Sequence, residues 1–404
     1  MRILLISQFF DPEPHLKGLA LAQALRARGH DVEVLTGFPN YPGGKVYAGH
    51  RVRFREDSVM DGVPIRRSFL YPSHDRSAAR RILNYVSFAV SAAVNAVSLR
   101  RPDVVYLYTP PMTAALPAVA LRYLKRVPFV ADVQDLWPDT LAATGMIREG
   151  FVTRLIGAWT NFVFRKAAAV MVLSKGFDER LRARGIRTPI WVVPNWAPRE
   201  IVDLRFPPDP PRSHDGFQVL FAGTMGKAQA LETVLDAAAI LAHEAPEVTF
   251  RFVGGGVEVD ALKAQAARLG LANATFDPPL PVGAMGPVFA AADCLLVHLK
   301  DDPLFQITIP SKVQAYLAVG KPVLIGVRGN AADMIREAGA GLAFDPGDAR
   351  ALADGVLAMV RATPEARRAM GESGRRYYDR ALAFDASVAR IAEILETSAL
   401  RRAQ

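Results

Sequence analysis

Residues 217–237 read FQVLFAGTMGKAQALETVLDA. Phe217–Ala222 is a short, almost wholly apolar run, as expected of a strand covered on both faces. Gly223 and Gly226 let the chain turn tightly, and Lys227 stands where a helical pattern begins. Strand, glycine turn and helix form the repeating step of a doubly wound α/β domain. In such domains ligands meet the carboxyl ends of strands beside helix N-termini.

The same step recurs in both directions. Arg2–Ile6, Asp31–Leu35, Val104–Leu107, Phe129–Val133 and Ala169–Leu173 read as strands before it, and Val248–Val253, Cys294–His298 and Pro322–Gly326 after it, with helix-length segments between them. Two such series predict two Rossmann-like domains with parallel sheets, and 404 residues suit two cores. The proline-rich stretch 198–216 reads as the linker. That sets an N-terminal domain at 1–197, a C-terminal domain at 217–382, and a last helix, within 383–404, that returns to brace the first domain.

The single cysteine, Cys294, excludes an internal disulfide and a multi-cysteine metal site, and it fits a cytoplasmic chain. The opening MRILLIS reads as a first strand and not as a signal peptide. The net charge of +9 is unevenly spread: +12 over residues 1–200 and −3 over 201–404. A basic first half points to an anionic partner, either nucleic acid or a membrane surface, or else reflects only an arginine-rich composition. No RNA-binding motif or interleaved aromatic platform accompanies the arginines, so no nucleic-acid partner is expected.

Ile82–Leu99 is the longest largely apolar stretch, bracketed by Arg80-Arg81 and Arg100-Arg101 and interrupted by Asn84, Ser87, Ser91, Asn95 and Ser98. A span there would split the α/β domain, so it reads as a crossover helix. The alternative is a helix dipping its apolar face into a membrane interface, which the neighbouring Arg51–Arg55, Arg66-Arg67 and Arg76–Arg81 favour.

Five loops at predicted strand ends carry candidate chemistry. Gln8–Gly18 lacks GxGxxG, which disfavours NAD and FAD, and offers His15, Lys17 and Gly18; the glycine either presents backbone N–H groups to an anion or makes an ordinary turn. Ala131–Thr140 (ADVQDLWPDT) sets Asp132 and Asp135 beside Trp137. That pair reads either as a carboxylate and an aromatic face for a sugar, or as a helix cap with a core tryptophan. The turn at Gly223, Gly226 and Lys227 suits a diphosphate, and Gly254 and Gly255 allow close backbone approach. In Phe305–Pro322, Pro310 stops an extended segment, Ser311 reads as an N-cap, and Lys312 lies at the positive end of a helix of about two turns that ends near Gly320. No P-loop, GxSxG or HExxH is present, and no Asp-x-Asp that could hold a metal follows a predicted strand.

VLTGFPNYPGG (34–44), RPDVVYLYTPP (101–111), VQDLWPDT (133–140), VPNWAP (193–198), AGTMGKAQALETVLDA (222–237) and IPSKVQAYLAVGKPVL (309–324) together resemble the GT4 glycosyltransferases of GT-B fold. The closest likeness is to the branch that builds bacterial O-antigen, capsule and colanic-acid polysaccharides, including N-acetyl-L-fucosamine transferases. That resemblance implies two Rossmann-like domains facing a cleft and retaining, metal-independent transfer from a UDP-sugar, possibly an N-acetylated deoxyhexosamine donor. The implied acceptor is a polyprenyl-diphosphate-linked glycan at the inner face of the cytoplasmic membrane. It places Lys227, Lys312 and Asp135 in catalysis, and Gly18, Gly223, Gly226, Gly254, Gly255, Ser311, Gln314 and Asn195 at the donor. His15, Lys17, Trp137 and Thr109 fall to the acceptor. Two departures stand out: the glutamates of the family pattern fall at Ile307 and Ala315, and its frequent histidine at Gln134. They keep open a non-catalytic sugar-nucleotide-binding partner and a UDP-sugar 2-epimerase as other readings.

Overall fold

The structure, a computed structural model, describes residues 1–73, 77–143, 150–204 and 216–400. Arg76 and most of the expected linker, 205–215, lie outside the described residues. The chain divides into two compact units, one of Met1–Val193 with Val388–Gln404 and the other of Pro194–Ser387.

In the first unit β1 (Arg2–Ile6), α1 (Leu19–Ala27), β2 (Asp31–Gly37), β3 (Arg55–Met60), β4 (Val63–Ser68) and α2 (Ala78–Ser98) are followed by β5 (Val104–Thr109), α3 (Ala115–Leu124) and β6 (Phe129–Val133). Then come α4 (Asp139–Ala143), α5 (Phe151–Lys166), β7 (Ala169–Val172), α6 (Lys175–Ala183) and β8 (Ile190–Val192). The sheet order is β3-β4-β2-β1-β5-β6-β7-β8, parallel except for the β3–β4 hairpin. Sequence reasoning missed that hairpin because β3, REDSVM, is a polar edge strand with no apolar run. The signal was its turn: Asp61 and Gly62 both take positive φ (46° and 82°), as a two-residue Asp-Gly loop requires.

The second unit begins with α7 (Arg199–Val202), β9 (Phe217–Ala222), α8 (Glu232–Glu244), β10 (Val248–Val253), α9 (Val259–Arg268), β11 (Ala274–Asp277), α10 (Met285–Ala291) and β12 (Cys294–His298). It continues through α11 (Pro303–Ile307), α12 (Ser311–Val319), β13 (Val323–Gly326), α13 (Asn330–Ala338), β14 (Gly341–Ala343), α14 (Ala349–Arg361) and α15 (Pro364–Ala381). Its six strands are all parallel, in the order β11-β10-β9-β12-β13-β14. The inner strands are covered on both faces, so β9 and β12 are buried along nearly their whole length, as their apolar runs predict. α16 (Phe384–Leu400) starts in this unit and from Val388 onward belongs to the first, where Ile391 and Leu395 are buried and Arg390 lies 4.4 Å over the Trp191 ring.

Each sheet reverses its winding once. In the first unit β1 leads to β2 on one side while β5 leads to β6 on the other; in the second, β9 and β12 stand in the same relation. These two switch points are where doubly wound sheets bind ligands.

Candidate functional site

At the β9/β12 switch point the backbone itself makes the floor. Gly223 N donates to Val253 O (2.8 Å) and Met225 N to Gly255 O (2.8 Å), so the loops after β9 and β10 lie against each other. A Cβ on Gly254 would fall 2.0 Å from Gly223 O, and one on Gly256 2.1 Å from Met225 O. Glycine is therefore required by this contact, and not only by the turn. The Lys227–Gln229 turn is tied down by Lys300 N donating to Ala228 O (3.0 Å) and by His298 Nδ1 at 2.8 Å from Gln229 O. Lys227 itself is exposed.

α12 brings the cation. Lys312 and Tyr316, four apart, share a helix face. Tyr316 is buried, and its hydroxyl accepts from Ala222 N (3.0 Å) and donates to Ala222 O (3.2 Å), fastening α12 to the end of β9. Lys312 Nζ then stands 3.4 Å above the Phe221 ring centroid, buried, with no hydrogen-bond partner among the described residues. Burial pushes its ammonium down to about 7. A buried cation with open donors beside a glycine floor is a site that an anion would satisfy.

Ser311 is the first residue of α12 and not its cap; the cap position is Pro310, whose carbonyl receives Val313 N (2.9 Å). Gln314, expected to meet the donor, is buried and turned back on its own helix, with its amide nitrogen placed to donate to Pro310 O (2.8 Å) and Ser311 O (3.2 Å). Gly226 N donates to Gln229 Oε1 (3.0 Å), so that N–H is already used. Asn195 is partly buried in the second unit, next to Trp196, whose ring meets Phe384 edge-on at 5.1 Å.

The β1/β5 switch point of the first unit holds a buried polar network. Lys17 Nζ pairs with Asp132 Oδ2 at 2.7 Å, both side chains almost completely excluded from solvent. Tyr106 donates to the same oxygen, and Gln134 Nε2 donates to Asp132 Oδ1 at 2.6 Å. Lys17, expected to meet the acceptor, is thus buried as the counter-ion of Asp132. Thr109 is likewise committed, its hydroxyl donating to Asp132 O (3.0 Å). At the α1 start one N–H is already used: Leu19 N donates to Asp11 Oδ2 (2.7 Å), and a Cβ on Gly18 would meet that oxygen at 2.1 Å. Gly18 therefore makes room for the capping carboxylate of Asp11.

His15, Asp135 and Trp137 stay nearer the surface of this network. The His15 ring packs edge-on against Tyr108 (4.4 Å), its Nε2 is buried without a partner among the described residues, and burial with nearby Lys17 lowers it to about 4. Burial also raises the Asp135 carboxyl above its ordinary value. Trp137 is half-buried, with its carbonyl accepting from Arg184 Nη1 (3.0 Å). Sequence reasoning passed over Glu13. Its carboxylate accepts from Phe10 N (3.0 Å), Asn40 N (2.7 Å) and Tyr41 N (2.7 Å), joining the loops after β1 and β2.

Comparison with known proteins decides the family. A Glycosyl transferase 4-like domain matches residues 19–196, and a Glycosyl transferases group 1 domain matches 205–377. The chain belongs to the GT4 glycosyltransferases. It is 28% identical over 348 residues to the putative colanic acid biosynthesis glycosyl transferase WcaI of Escherichia coli, covering 80% of this chain and 83% of that one. It is 28% identical over 268 residues to the probable glycosyltransferase WbjE of Pseudomonas aeruginosa, covering 63% and 65%. Sucrose-phosphate synthase from Thermosynechococcus elongatus shares the fold with a TM-score of 0.73 at 17% identity over the whole of both chains. Anabaena HepE, solved in complex with UDP-glucose, does so at 0.67 and 17% identity, over 98% of this chain and 100% of its own. The two parallel-sheet units of this glycosyltransferase are those of the GT-B fold.

Proposed function

We propose that this glycosyltransferase moves a sugar from a UDP-sugar to a lipid-linked glycan acceptor in cell-surface polysaccharide synthesis, with retention of configuration and without a metal. The observation that carries the reading is the buried, unpartnered Lys312 ammonium beside the Gly223–Gly254 floor. A nucleoside diphosphate supplies the charge that this site lacks. As the sugar leaves, negative charge grows on the β-phosphate, and a fixed ammonium in a dry setting stabilises it more than it stabilised the ground state. The acceptor hydroxyl attacks on the same face and passes its proton to the departing phosphate. Lys227 and the N–H groups at the start of α12 add donors, while Asp135, His15 and Trp137 order the sugars at the first unit. The fold-mate HepE was solved with UDP-glucose and the relative WcaI carries a colanic-acid name, which supports donor and pathway class alike.

The experiment is a screen of nucleotide sugars with a polyprenyl-diphosphate-linked sugar, reading product mass and anomeric configuration. Acceptor-dependent release of UDP with a retained anomer is expected. Ile307 and Ala315, standing where carboxylates would hold a donor, favour a second reading as a binding partner without turnover. Saturable UDP-sugar binding with no product from any pairing would establish that reading in place of the first, and an epimerised donor would displace both.

A further inference from the structure

α2 is apolar on both sides: Phe88, Ala89, Ala92 and Ala96 are buried, and a second apolar row faces outward. Among those inner residues sit Asn84, Ser91 and Asn95, also buried and all bonded: Asn84 Nδ2 donates to Tyr71 O (2.8 Å), Ser91 Oγ to Phe88 O (3.1 Å) and Asn95 Nδ2 to Ser68 Oγ (2.9 Å). Its outer side holds Ile82, Leu83, Val86, Val90, Val94 and Val97, every one exposed, with Val90 at 53% and Val94 at 56%. An ordinary surface helix turns charged and polar residues to that side. Residues 82–99 contain no charged side chain, so no charge interrupts the stripe lengthwise.

The charges gather at its ends. From Arg76 to Ala131 the sequence has eight Lys and Arg against one acid, Asp103. Arg80 and Arg81 begin the helix. At its far end Lys125 Nζ donates to Leu99 O (2.7 Å) and Arg101 Nε to Lys125 O (3.0 Å), drawing the C-terminal ends of α2 and α3 together. Right-handed crossovers from β4 to β5, β5 to β6 and β6 to β7 place α2, α3 and α5 on one side of the sheet. On that side Arg122, Tyr123, Arg126 and Lys166 line a surface hollow, and Tyr123 and Leu124 are exposed.

We propose that the outward face of α2, with this basic cluster, is a docking surface for an anionic lipid bilayer on which α2 lies flat. An apolar stripe closed at both ends by arginines fits acyl chains between rows of lipid phosphates. Among the described residues no helix is long and apolar enough to cross a membrane, which agrees with a helix lying along the interface. At its N-terminal end Asn84 Oδ1 accepts from Gln8 Nε2 (2.6 Å), so the docked helix holds the loop after β1 close to the lipid. The proposal deepens the reading of a lipid-linked acceptor, and it is measured without donor or acceptor, so that either can fail alone.

The test is flotation of the full chain with phosphatidylcholine vesicles, with and without phosphatidylglycerol. Binding only to the anionic vesicles is expected, weaker by about fivefold for each of Arg100→Gln and Arg122→Gln and by about tenfold or more for Val90→Asp with Val94→Asp. A Val90→Cys variant provides a reading that needs no loss of binding. Cys294 is buried, so a polarity-sensitive dye attaches at 90 alone, and its emission shifts to the blue on anionic vesicles. The proposal is overturned by absence of flotation, by equal binding to neutral vesicles, or by an unshifted dye on bound protein. A dimer in solution that Val90→Asp with Val94→Asp dissociates also overturns it, because a second copy then covers the stripe.

Discussion

Lys312 lies across the space that a side chain at position 223 would need: a Cβ on Gly223 would stand 2.7 Å from Lys312 Cε and 3.3 Å from Nζ. Gly223 also has φ +128°, where other residues are strained. Gly223→Ala is expected to cost about 1–3 kcal/mol of stability and to displace the ammonium, lowering turnover by about 10²-fold. Thermal melting and initial rates on the same preparation check both. Full activity in the variant would show that the lysine's position is not set by this contact.

The Lys312 ammonium, held down to about 7 by burial, makes diphosphate binding depend on pH. A bound anion favours the charged form and raises that value, so above about pH 7 binding takes up a proton. UDP affinity then falls as pH rises, by up to about tenfold per pH unit until the complex's own value is reached. Calorimetry in buffers of different ionisation enthalpy reads the proton directly. Lys312→Met removes the slope, and Lys312→Ala lowers turnover by about 10²-fold or more. A flat profile in the unaltered protein excludes Lys312 as the diphosphate's partner.

Lys17→Met leaves Asp132 charged and buried with only Tyr106 and Gln134 to bond it. The expected loss is about 3–5 kcal/mol from the first unit, seen as an earlier urea transition. Adding Asp132→Asn should recover part of it, because the unpaired charge goes. If Lys17→Met melts like the parent while losing acceptor affinity, the lysine serves the acceptor after all.

Asp135 has its carboxyl raised by burial, and so it opposes folding once ionised. The sign follows: the cost is absent below the unfolded value, near 4, and grows as pH rises through the folded one. Asp135→Asn is expected to raise the melting temperature at neutral pH, with the gain vanishing in acid, while transfer slows. A variant that is no more stable at neutral pH would mean that the carboxylate has a partner charge in solution.

The long parallel strands were legible because burial on both faces demands apolar runs such as Phe217–Ala222 and Cys294–His298. The donor-side glycines and Lys312 were legible for a related reason, since close backbone approach admits only glycine. What stayed hidden depended on how the chain folds back on itself. Nothing local to Lys17 shows that Asp132, 115 positions later, will bury it. Asp11 stands in the same loop as Gly18, yet only the folded loop shows its carboxylate at the start of α1. The polar interruptions in 82–99 marked α2 as no membrane span, but only the fold shows that Asn84, Ser91 and Asn95 turn inward and leave the valines outside.

The passage of α16 from one unit into the other has a consequence for synthesis. A ribosome releases Met1–Val193 first, yet Val388, Ile391 and Leu395, which belong to the same core, emerge only after the whole of the second unit. The first unit therefore waits, with an apolar flank uncovered, while its neighbour is made. A chimera meant to exchange donor specificity must be cut at two joints, after Val193 and after Ser387, because a single crossover would separate the early part of the first unit from its own last helix.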